Sequence, residues 1–272
     1  AYSIPSYTNL NVFPGGETDP KLLVLQRIYP SYLFKQRFLG EPAAPEGLVF
    51  SDFSVDRHVS KGVKYNSDLP VYLFIDPGFN TAYAVLAVQV SDNTVHIVDE
   101  LYEQHITSQD MVALARKRYW WVPRKDGTPD NIPYGVIDVA GKQHHAERSA
   151  EEVWSAAGLR LFSRHVKVDD GIDRVRSLLR SDGAYDIPQI LIHPQVRGLI
   201  SEMGGCPSPL PERQPWSYKQ DRDGNIVSDI PDDKNNDARK ALAYGLVEMF
   251  GFVDAKKYSG GPVLWTAPRG PE

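Results

Sequence analysis

Three strand-like segments follow one another between residues 71 and 103, and they constrain the fold more than any other part of the sequence. VYLFID (71–76), TAYAVLAVQV (81–90) and TVHIVDELYE (94–103) are rich in β-branched and aromatic residues, and the turn sequences DPGFN and SDN separate them. Connections this short join antiparallel neighbours, because parallel strands need a longer crossover. The sequence therefore predicts an antiparallel three-stranded meander.

Helical and strand-like patterns alternate along the chain after this meander. Helical spacing of apolar residues occurs in 111–121, 146–158, 171–180 and 235–251, and short apolar runs of strand type occur in 133–138, 159–163 and 189–194. Alternation of this kind is typical of α/β proteins. We therefore predict an α/β fold with a mixed central sheet, in which parallel strands extend the antiparallel meander and helices flank both.

The composition excludes several classes of protein. The chain has 272 residues, of which 42% are hydrophobic, so it can bury a core. Its one cysteine, Cys206, rules out an internal disulfide framework and a thiolate-rich zinc site, but a metal held by oxygen atoms remains possible. The formal charge is -5, so contact with nucleic acid requires a local basic patch.

The sequence offers no membrane segment and no secretory signal. The longest apolar stretch, 81–90, is about half of the roughly 20 residues that a spanning helix needs. The first ten residues contain neither a basic start nor an apolar run. These features predict a cytosolic protein without a membrane partner.

Two acidic residues stand where strand-like segments end. Asp76 closes VYLFID and is followed by Pro-Gly, and Asp138 closes PYGVID. A carboxylate at the end of a buried strand is costly to desolvate unless a cation meets it, and a divalent metal is a common partner. Each residue taken alone is equally well explained as an ordinary turn or helix-capping aspartate.

A third acidic group precedes the apolar stripe of the 235–251 helix. Asp233 and Asp237 are four residues apart, so on a continuous helix they share one face. The helix dipole also favours acids at a helix N-terminus without any further function. Two strand-end aspartates followed by an aspartate on a late helix nevertheless suit two divalent cations about 3.5–4 Å apart, which promote attack of water on a phosphodiester. The pattern indicates a metal-dependent nuclease.

Seven segments of the chain, in order, resemble the C-terminal ribonuclease H-like nuclease domain of the large terminase subunit of tailed double-stranded DNA bacteriophages. They are FKQRFLGEPAAPEGLVFSDFSVDRHV, LFIDPGFNTAYAV, VHIVDELYE, YGVIDVAGKQ, GIDRVRSLL, ILIHPQVRGLISEM and NNDARKALAYGLV. The resemblance implies a ribonuclease H-like domain over 61–255, the end of the packaging ATPase domain or its linker in 1–60, and a flexible tail in 256–272. The chain contains no GxxxxGK[ST] sequence, so we expect no ATP hydrolysis by it alone.

The resemblance also implies an activity and its partners. In this family the nuclease cuts concatemeric phage DNA at the start and end of packaging, with two Mg²⁺ or Mn²⁺ ions in its site. The implied partners are double-stranded DNA, the small terminase subunit, the portal protein and the ATPase domain of the same polypeptide. The implied location is the host cytoplasm, where the packaging motor acts transiently on the procapsid.

Position by position, the resemblance assigns catalytic and metal-binding roles to four acids. Asp76 matches the catalytic aspartate of the first strand, and Asp138 matches the acid at the end of the fourth strand. In the late helix, a gapless fit places Lys240 where the family has a second aspartate and Asp237 where it has a histidine. Asp237 would then supply the third carboxylate from one turn earlier, with Asp233 as a substitute or helper.

Further residues are weaker candidates. Glu100 is a possible fourth acid, although an exposed strand residue is the more ordinary explanation. His144, in a loop-like GKQHH stretch, is better explained by surface or DNA-backbone contact than by metal binding. Lys142 follows Asp138 by four residues and could reach the cleaved strand. A basic stretch offers phosphate contacts through Arg160, Arg164, Lys167, Arg174 and Arg176.

Two other functions fit parts of the sequence. IDPGFNTA also resembles the phosphate loop of actin-like ATPases and sugar kinases, although VIDVAG is a poor second loop; nucleotide binding would favour that class. Alternatively, the chain is a catalytically silent domain that grips DNA or the portal, and Lys240 marks a degraded site. DNA binding without metal and without cleavage would identify it. The polar, proline-rich stretch 207–232 could form a hairpin over the substrate groove.

Overall fold

A six-stranded sheet forms the centre of the structure, a computed structural model that describes residues 4–28, 34–40, 47–138, 148–163, 165–180, 188–220 and 226–253. Its middle strands are β1 (Tyr72–Asp76), β2 (Ala82–Ser91) and β3 (Thr94–Gln104), and neighbouring pairs run antiparallel. The predicted meander is confirmed, and each strand ends within one residue of the expected position.

The turn between β2 and β3 shows why the SDN sequence separates two strands. Asp92 and Asn93 have φ angles of 48° and 60°, in the left-handed region. A two-residue hairpin turn of type I′ needs positive φ at both central positions, and Asp and Asn adopt it more readily than other non-glycine residues. Ser91 and Thr94 then pair directly across the turn.

Three short strands extend the meander into a mixed sheet. β4 (Gly135–Ile137) lies parallel to β1, β5 (Leu161–Ser163) lies parallel to β4, and β6 (Ile190–Ile192) lies parallel to β3. The order across the sheet is β5-β4-β1-β2-β3-β6. The predicted mixed sheet, with an antiparallel meander and parallel strands, is confirmed.

Helices connect and cover these strands. In chain order they are α1 (Pro20–Ile28), α2 (Val55–His58), α3 (Ser108–Ala115), α4 (Ala150–Ala156), α5 (Val168–Leu179), α6 (Arg197–Glu202) and α7 (Asp237–Phe250). A separate hairpin of β7 (Tyr218–Gln220) and β8 (Ile226–Pro231) confirms that the stretch 207–232 contains a hairpin. Among the helices described, none has the length and apolar character needed to cross a membrane.

The two faces of the sheet carry separate cores. α5 and α7 cover one face, towards which Tyr72 and Phe74 of β1 point. α3 and α4 cover the other face, and α4 carries the buried Trp154. Because side chains alternate along a strand, Asp76 lies on the same face as Tyr72 and Phe74. The first predicted acid therefore lies under α5 and α7, at the end of β1.

The residues before the sheet pack in two groups. Phe13, Leu22 and Phe34 form a small cluster of their own around α1 and a π-helical turn, Lys35–Leu39. Val49 and Phe50 instead belong to the core beneath α5 and α7. The domain boundary expected at residue 60 stays a prediction, and the tail 256–272 lies outside the described residues.

Gly245 allows α7 to approach the sheet closely. A β-carbon at this position would lie 2.2 Å from two carbon atoms of the Phe74 ring, which is far below van der Waals contact. Phe74 is two residues before Asp76, and Gly245 is eight residues after Asp237, the first residue of α7. The contact therefore sets how far Asp237 stands from the end of β1.

We expect Gly245→Ala to destabilise the protein although alanine is the better helix former. The helical preference for alanine is worth about 1 kcal/mol, whereas forcing a side chain into a filled core costs about 1–3 kcal/mol or more. Urea denaturation should therefore show a net loss of about 1–2 kcal/mol. Gly62→Ala is a suitable control, because its β-carbon would meet only the Ser60 hydroxyl, at 3.2 Å. Unchanged stability of Gly245→Ala would mean that α7 is not held against Phe74.

Candidate active site

Asp76 and Asp138 lie side by side at one edge of the sheet. β1 and β4 are parallel neighbours, and Ile75 pairs with Ile137, so the next residue of each strand is an aspartate. Adjacent strands are separated by about 4.8 Å, and the two residues point to the same face. Asp76 is buried, with 7% of its surface exposed, and Asp138 is partly exposed. The two strand-end acids predicted from the sequence are therefore neighbours.

α7 brings a third carboxylate to this edge. Asp237 is the first residue of the helix and is 5% exposed. Burial, followed by the negative charge of Asp237, raises the pKa of Asp76 well above its ordinary value. The Asp138 carboxylate acts in the same direction, whereas Lys240 lowers the pKa of Asp76. The three aspartates therefore share one electrostatic environment beside the partly buried end of β1.

The start of α7 corrects the expectation for Asp233. Asp233 and Asp237 were expected on one continuous helix, but the helix begins only at Asp237, after Asn236. The Asp233 side chain is 85% exposed and accepts hydrogen bonds from Lys240 Nζ, at 3.0 Å, and from Asn236 Nδ2, at 3.1 Å. Asp233 therefore pairs with Lys240 at the rim instead of sharing a helix face with Asp237.

Glu202, at the end of α6, is a fourth acid that the sequence analysis did not single out. It is 2% exposed, and its two carboxylate oxygens accept hydrogen bonds from the backbone N–H groups of Ala238, at 3.1 Å, and Arg239, at 2.8 Å. The Tyr102 hydroxyl donates a further hydrogen bond, at 2.8 Å. Burial is the main cause that raises the pKa of Glu202 to about 7, and the nearby Asp237 adds to it. Glu202 therefore caps the first turn of α7, the turn that carries Asp237.

Arg213 provides a cation beside Asp237 and Glu202. Its guanidinium donates to Asp237 Oδ2 and lies 3.5 Å from Glu202 Oε1. It also lies 5.5 Å from the centre of the Tyr102 ring, a distance typical of a cation–π contact. Arg213, whose side chain is 11% exposed, therefore lies against two buried carboxylates, one of them an acid predicted to bind metal.

Tyr244 extends the site along the same side of α7. It follows Asp237 by seven residues, or about two helical turns. Burial, followed by the charges of Asp76 and Asp138, raises the pKa of the Tyr244 hydroxyl. A hydrogen bond with the Asp138 side chain contributes to this shift. Tyr244 is therefore a neutral donor that can orient the more exposed of the two strand-end acids.

Glu100 is buried, which contradicts the more ordinary expectation of an exposed strand residue. It is 8% exposed, and its carboxylate accepts hydrogen bonds from the N–H groups of Gly198 and, at 3.0 Å, Leu199 at the start of α6. In the sheet Glu100 pairs with Leu86 of β2. Asp76 pairs with Ala84, two residues earlier on the same strand. Glu100 therefore caps α6 and stands apart from the edge that carries Asp76.

The buried carboxyl of Glu100 makes stability depend on pH. Burial raises the pKa of Glu100 from 4.5 to about 8. The folded protein then holds this proton more tightly than the unfolded chain, so the stabilisation is complete below pH 4.5 and is lost as pH rises to about 8, at up to about 1.4 kcal/mol per pH unit. In Glu100→Gln this loss should be absent. Urea denaturation of both proteins from about pH 5 to about pH 8 should show the variant gaining relative stability at each step, and parallel pH profiles would contradict the prediction.

Arg174 does not form the DNA contact that its place in a basic stretch predicted. It is 3% exposed, and its guanidinium donates hydrogen bonds to the carbonyl oxygens of Gly251, at 2.8 Å, and Phe250, at 3.3 Å. These are the unpaired carbonyl groups at the end of α7. Arg174 is therefore a helix-capping residue in the interior.

The other predicted DNA contacts differ in their positions. Arg176 is partly buried and donates to the Val49 carbonyl oxygen, at 2.6 Å and 3.1 Å. Arg160 precedes β5, at the end of the sheet opposite to the acids, and lies 4.9 Å from the Phe162 ring centre. Lys167 is exposed at the start of α5. This helix follows β5, whose last residue, Ser163, pairs with Ile137 beside Asp138. Lys142, Arg164 and His144 lie outside the described residues.

The donor types at this edge suit a hard divalent cation, although the site is not assembled. Carboxylate oxygens are the ligands that Mg²⁺ and Mn²⁺ prefer. The pKa of Asp76 is raised first by burial and then by neighbouring negative charge, and a bound cation would offset both effects. Among the residues that the structure describes, however, no three Asp, Glu, His or Cys side chains form a group that could hold a metal ion. The Asp237 carboxylate is engaged instead in an ion pair with Arg213.

No family model matches this sequence, and neither does any curated protein. Solved structures do match. The large terminase from a thermophilic bacteriophage aligns over 85% of this chain and 53% of its own length, with 16% identity and a TM-score of 0.55. The nuclease domain of the P22 large terminase aligns over 73% of this chain and 90% of its own, with 17% identity and a TM-score of 0.50.

A third structure, the large terminase nuclease from thermophilic phage G20c with bound cobalt, has a TM-score of 0.41, a likeness too weak to support an argument. The chain spans about half the length of the first of these terminases. The nuclease domain of P22, by contrast, is matched over nearly all of its length. In its mixed sheet and flanking helices, the chain has the ribonuclease H-like fold of a large terminase nuclease domain.

Proposed function

We propose that this chain is the metal-dependent nuclease part of a viral DNA-packaging terminase. The observation that carries the proposal is the convergence of Asp76, Asp138 and Asp237 from β1, β4 and α7 at one edge of the sheet. Carboxylates from separate elements are costly to crowd together unless a cation binds them. The likeness of the fold to terminase nuclease domains supports the same conclusion.

The substrate of the proposed reaction is the phosphodiester backbone of concatemeric double-stranded DNA, cut when packaging starts and ends. Asp76, Asp138 and Asp237 would hold two Mg²⁺ or Mn²⁺ ions, with Asp233 as a helper at the rim. Such ions, when bound, lower the pKa of the attacking water and stabilise charge on the leaving oxygen. Glu202 holds the first turn of α7 in place, and Tyr244 orients Asp138.

Basic residues near the acids would meet the DNA. Lys240 lies close enough to Asp76 to lower its pKa, and Lys167 is exposed at the start of α5. Lysines at such positions contact phosphate without reading base sequence, so we expect cleavage with little sequence preference. Direction to a particular site would come from the proposed partners, which are the small terminase subunit, the portal protein and the ATPase domain of the same polypeptide, in the host cytoplasm.

Cleavage of supercoiled plasmid DNA tests the proposal. The wild-type chain should cut with Mn²⁺ or Mg²⁺ and not with EDTA, and Asp138→Asn should be inactive. Asp130→Asn is the matched control, because Asp130 is a 64% exposed aspartate that pairs with Arg124 and lies outside the acidic edge. If the folded wild-type chain cut nothing with either metal, or if Asp138→Asn cut as well as the control, the proposed function would be wrong.

A further inference from the structure

The contact between Arg213 and Asp237 carries an inference that deepens the proposed function and rests on it. The Arg213 side chain is 11% exposed and the Asp237 side chain 8% exposed, so the pair is largely shielded from water. The side chain of Glu202, whose Oε1 lies 3.5 Å from the Arg213 guanidinium, is 1% exposed. An ion pair in such a setting is strong because solvent and salt screen it weakly.

A movement of the chain at Arg213 would not disrupt a helix or strand. Arg213 lies between α6 and β7, in a stretch without regular secondary structure. The nearest firm attachment is Trp216, whose backbone N–H donates to the Glu202 carbonyl oxygen, at 2.8 Å, and whose indole lies 3.6 Å from the Arg239 guanidinium carbon. Arg213 is three residues from this anchor, so its side chain can leave Asp237 while Trp216 stays in place.

A guanidinium and a divalent cation cannot both use Asp237 in the same way. The guanidinium donates to Asp237 Oδ2, so a metal ion at Asp237 would have to share that oxygen or use Oδ1 beside it. Two cations on neighbouring oxygens of one carboxylate also repel each other strongly at low dielectric constant. Arg213 therefore competes with any metal ion that binds Asp237.

We propose that Arg213 is a built-in counterion that occupies Asp237 in the metal-free protein and must leave before a divalent cation binds there. Arg213 is then a positioning residue that sets the metal affinity of the site. Removing its charge frees Asp237 at the expense of stability in the metal-free protein.

Titration with Mn²⁺ alone tests the inference without relying on cleavage. Isothermal calorimetry and the EPR signal of free Mn²⁺ both measure the binding. Arg213→Gln should bind Mn²⁺ roughly 10- to 100-fold more tightly than wild type, the equivalent of one charge-assisted hydrogen bond. In an Asp237→Asn background, the same Arg213→Gln substitution should change the affinity little. In EDTA, the melting temperature of Arg213→Gln should be lower than that of wild type. Addition of Mn²⁺ should raise the melting temperature of Arg213→Gln by more than that of wild type.

Lys240→Gln separates competition from a general change of charge. Lys240 is also a cation close to Asp76, but its Nζ bonds to Asp233 and not to Asp237. Loss of its charge should change Mn²⁺ affinity by less than about threefold, as expected for a partly screened charge. If Lys240→Gln and Arg213→Gln increased Mn²⁺ affinity equally, the inference would be overturned, because Arg213 would then act only through its charge and not through its contact with Asp237.

The remaining outcomes also decide the question. If wild type binds Mn²⁺ and Arg213→Gln binds it equally or more weakly, Arg213 is a permanent structural cation, and the inference fails while the proposed function stands. If neither folded protein binds Mn²⁺, both fail together. Should Arg213→Gln not fold, Arg213→Lys keeps a charge but loses the planar guanidinium, and it should still bind Mn²⁺ about threefold or more tightly.

Discussion

Asp76→Asn is expected to abolish metal-dependent cleavage while making the metal-free protein more stable. The substitution keeps the shape of the side chain and removes one negative charge from the centre of the acidic edge. Loss of a principal carboxylate ligand should reduce the rate of plasmid cleavage by about 10³-fold or more, because the metal ions supply most of the charge stabilisation in such reactions. Initial rates of plasmid nicking in Mn²⁺ measure this effect.

The gain in stability follows from the sign of the pKa shift of Asp76. Burial and the neighbouring carboxylates raise that pKa, so the folded protein favours the neutral form of the residue. Stability is then greatest below the ordinary pKa of 3.8 and falls as pH rises towards the folded value. Asparagine is neutral at every pH, so at about pH 7 to 8 the variant should be more stable than wild type in EDTA. Saturating Mn²⁺ should reverse the order, because it stabilises only the protein that binds it.

Asp99→Asn is the matched control for this prediction. Asp99 is also a buried strand aspartate, 2% exposed, but it accepts hydrogen bonds from Trp120 Nε1, at 2.8 Å, and Gln195 Nε2, at 3.1 Å. Its neutralisation should lower stability and leave the cleavage rate within about twofold, because it lies on the opposite face of the sheet. Cleavage by Asp76→Asn at a rate near that of Asp99→Asn would show that the acidic edge is not catalytic.

The sequence was sufficient to predict the parts of the site that depend on local pattern. Asp76 and Asp138 each follow a short apolar run, and the period of a strand together with the direction of parallel neighbours places both at one edge. Asp237 was predicted from the apolar stripe that follows it along α7. In each case the apolar pattern that marks the acid lies in the same strand or helix, within a few turns of it along the chain.

The parts that were missed depend on contacts between distant residues. Glu202 caps α7 from 36 residues away, and Asn236 makes no side-chain capping bond, so no local signal marked either Glu202 or the true start of the helix. Arg213 reaches Asp237 across 24 residues from an irregular stretch. Arg174 was predicted to be on the surface because its neighbours are charged, whereas its partners Phe250 and Gly251 are 76 and 77 residues away.

Glu202→Ala is expected to have the largest effect on stability among the substitutions considered. The change removes a buried carboxylate and leaves the Tyr102 hydroxyl, two backbone N–H groups at the start of α7 and the Arg213 guanidinium without that acceptor. Breaking a buried, hydrogen-bonded charge cluster in this way costs about 3–5 kcal/mol. For a chain of this size, thermal melting should fall by roughly 10 °C. Glu202→Gln keeps one acceptor oxygen and should lose about half as much.

The comparison of Glu202→Gln with Asp76→Asn decides whether Glu202 supports the site or binds metal itself. Both carboxylate oxygens of Glu202 already accept backbone N–H groups of α7, which leaves its lone pairs poorly placed for a cation. Mn²⁺ affinity in Glu202→Gln should therefore stay within about fivefold of wild type, since only the orientation of Asp237 is disturbed. Asp76→Asn, by contrast, should lose about 100-fold or more, because a ligand itself is removed. An equal loss in both variants would place Glu202 among the metal ligands and would mean that α7 moves away from it when metal binds.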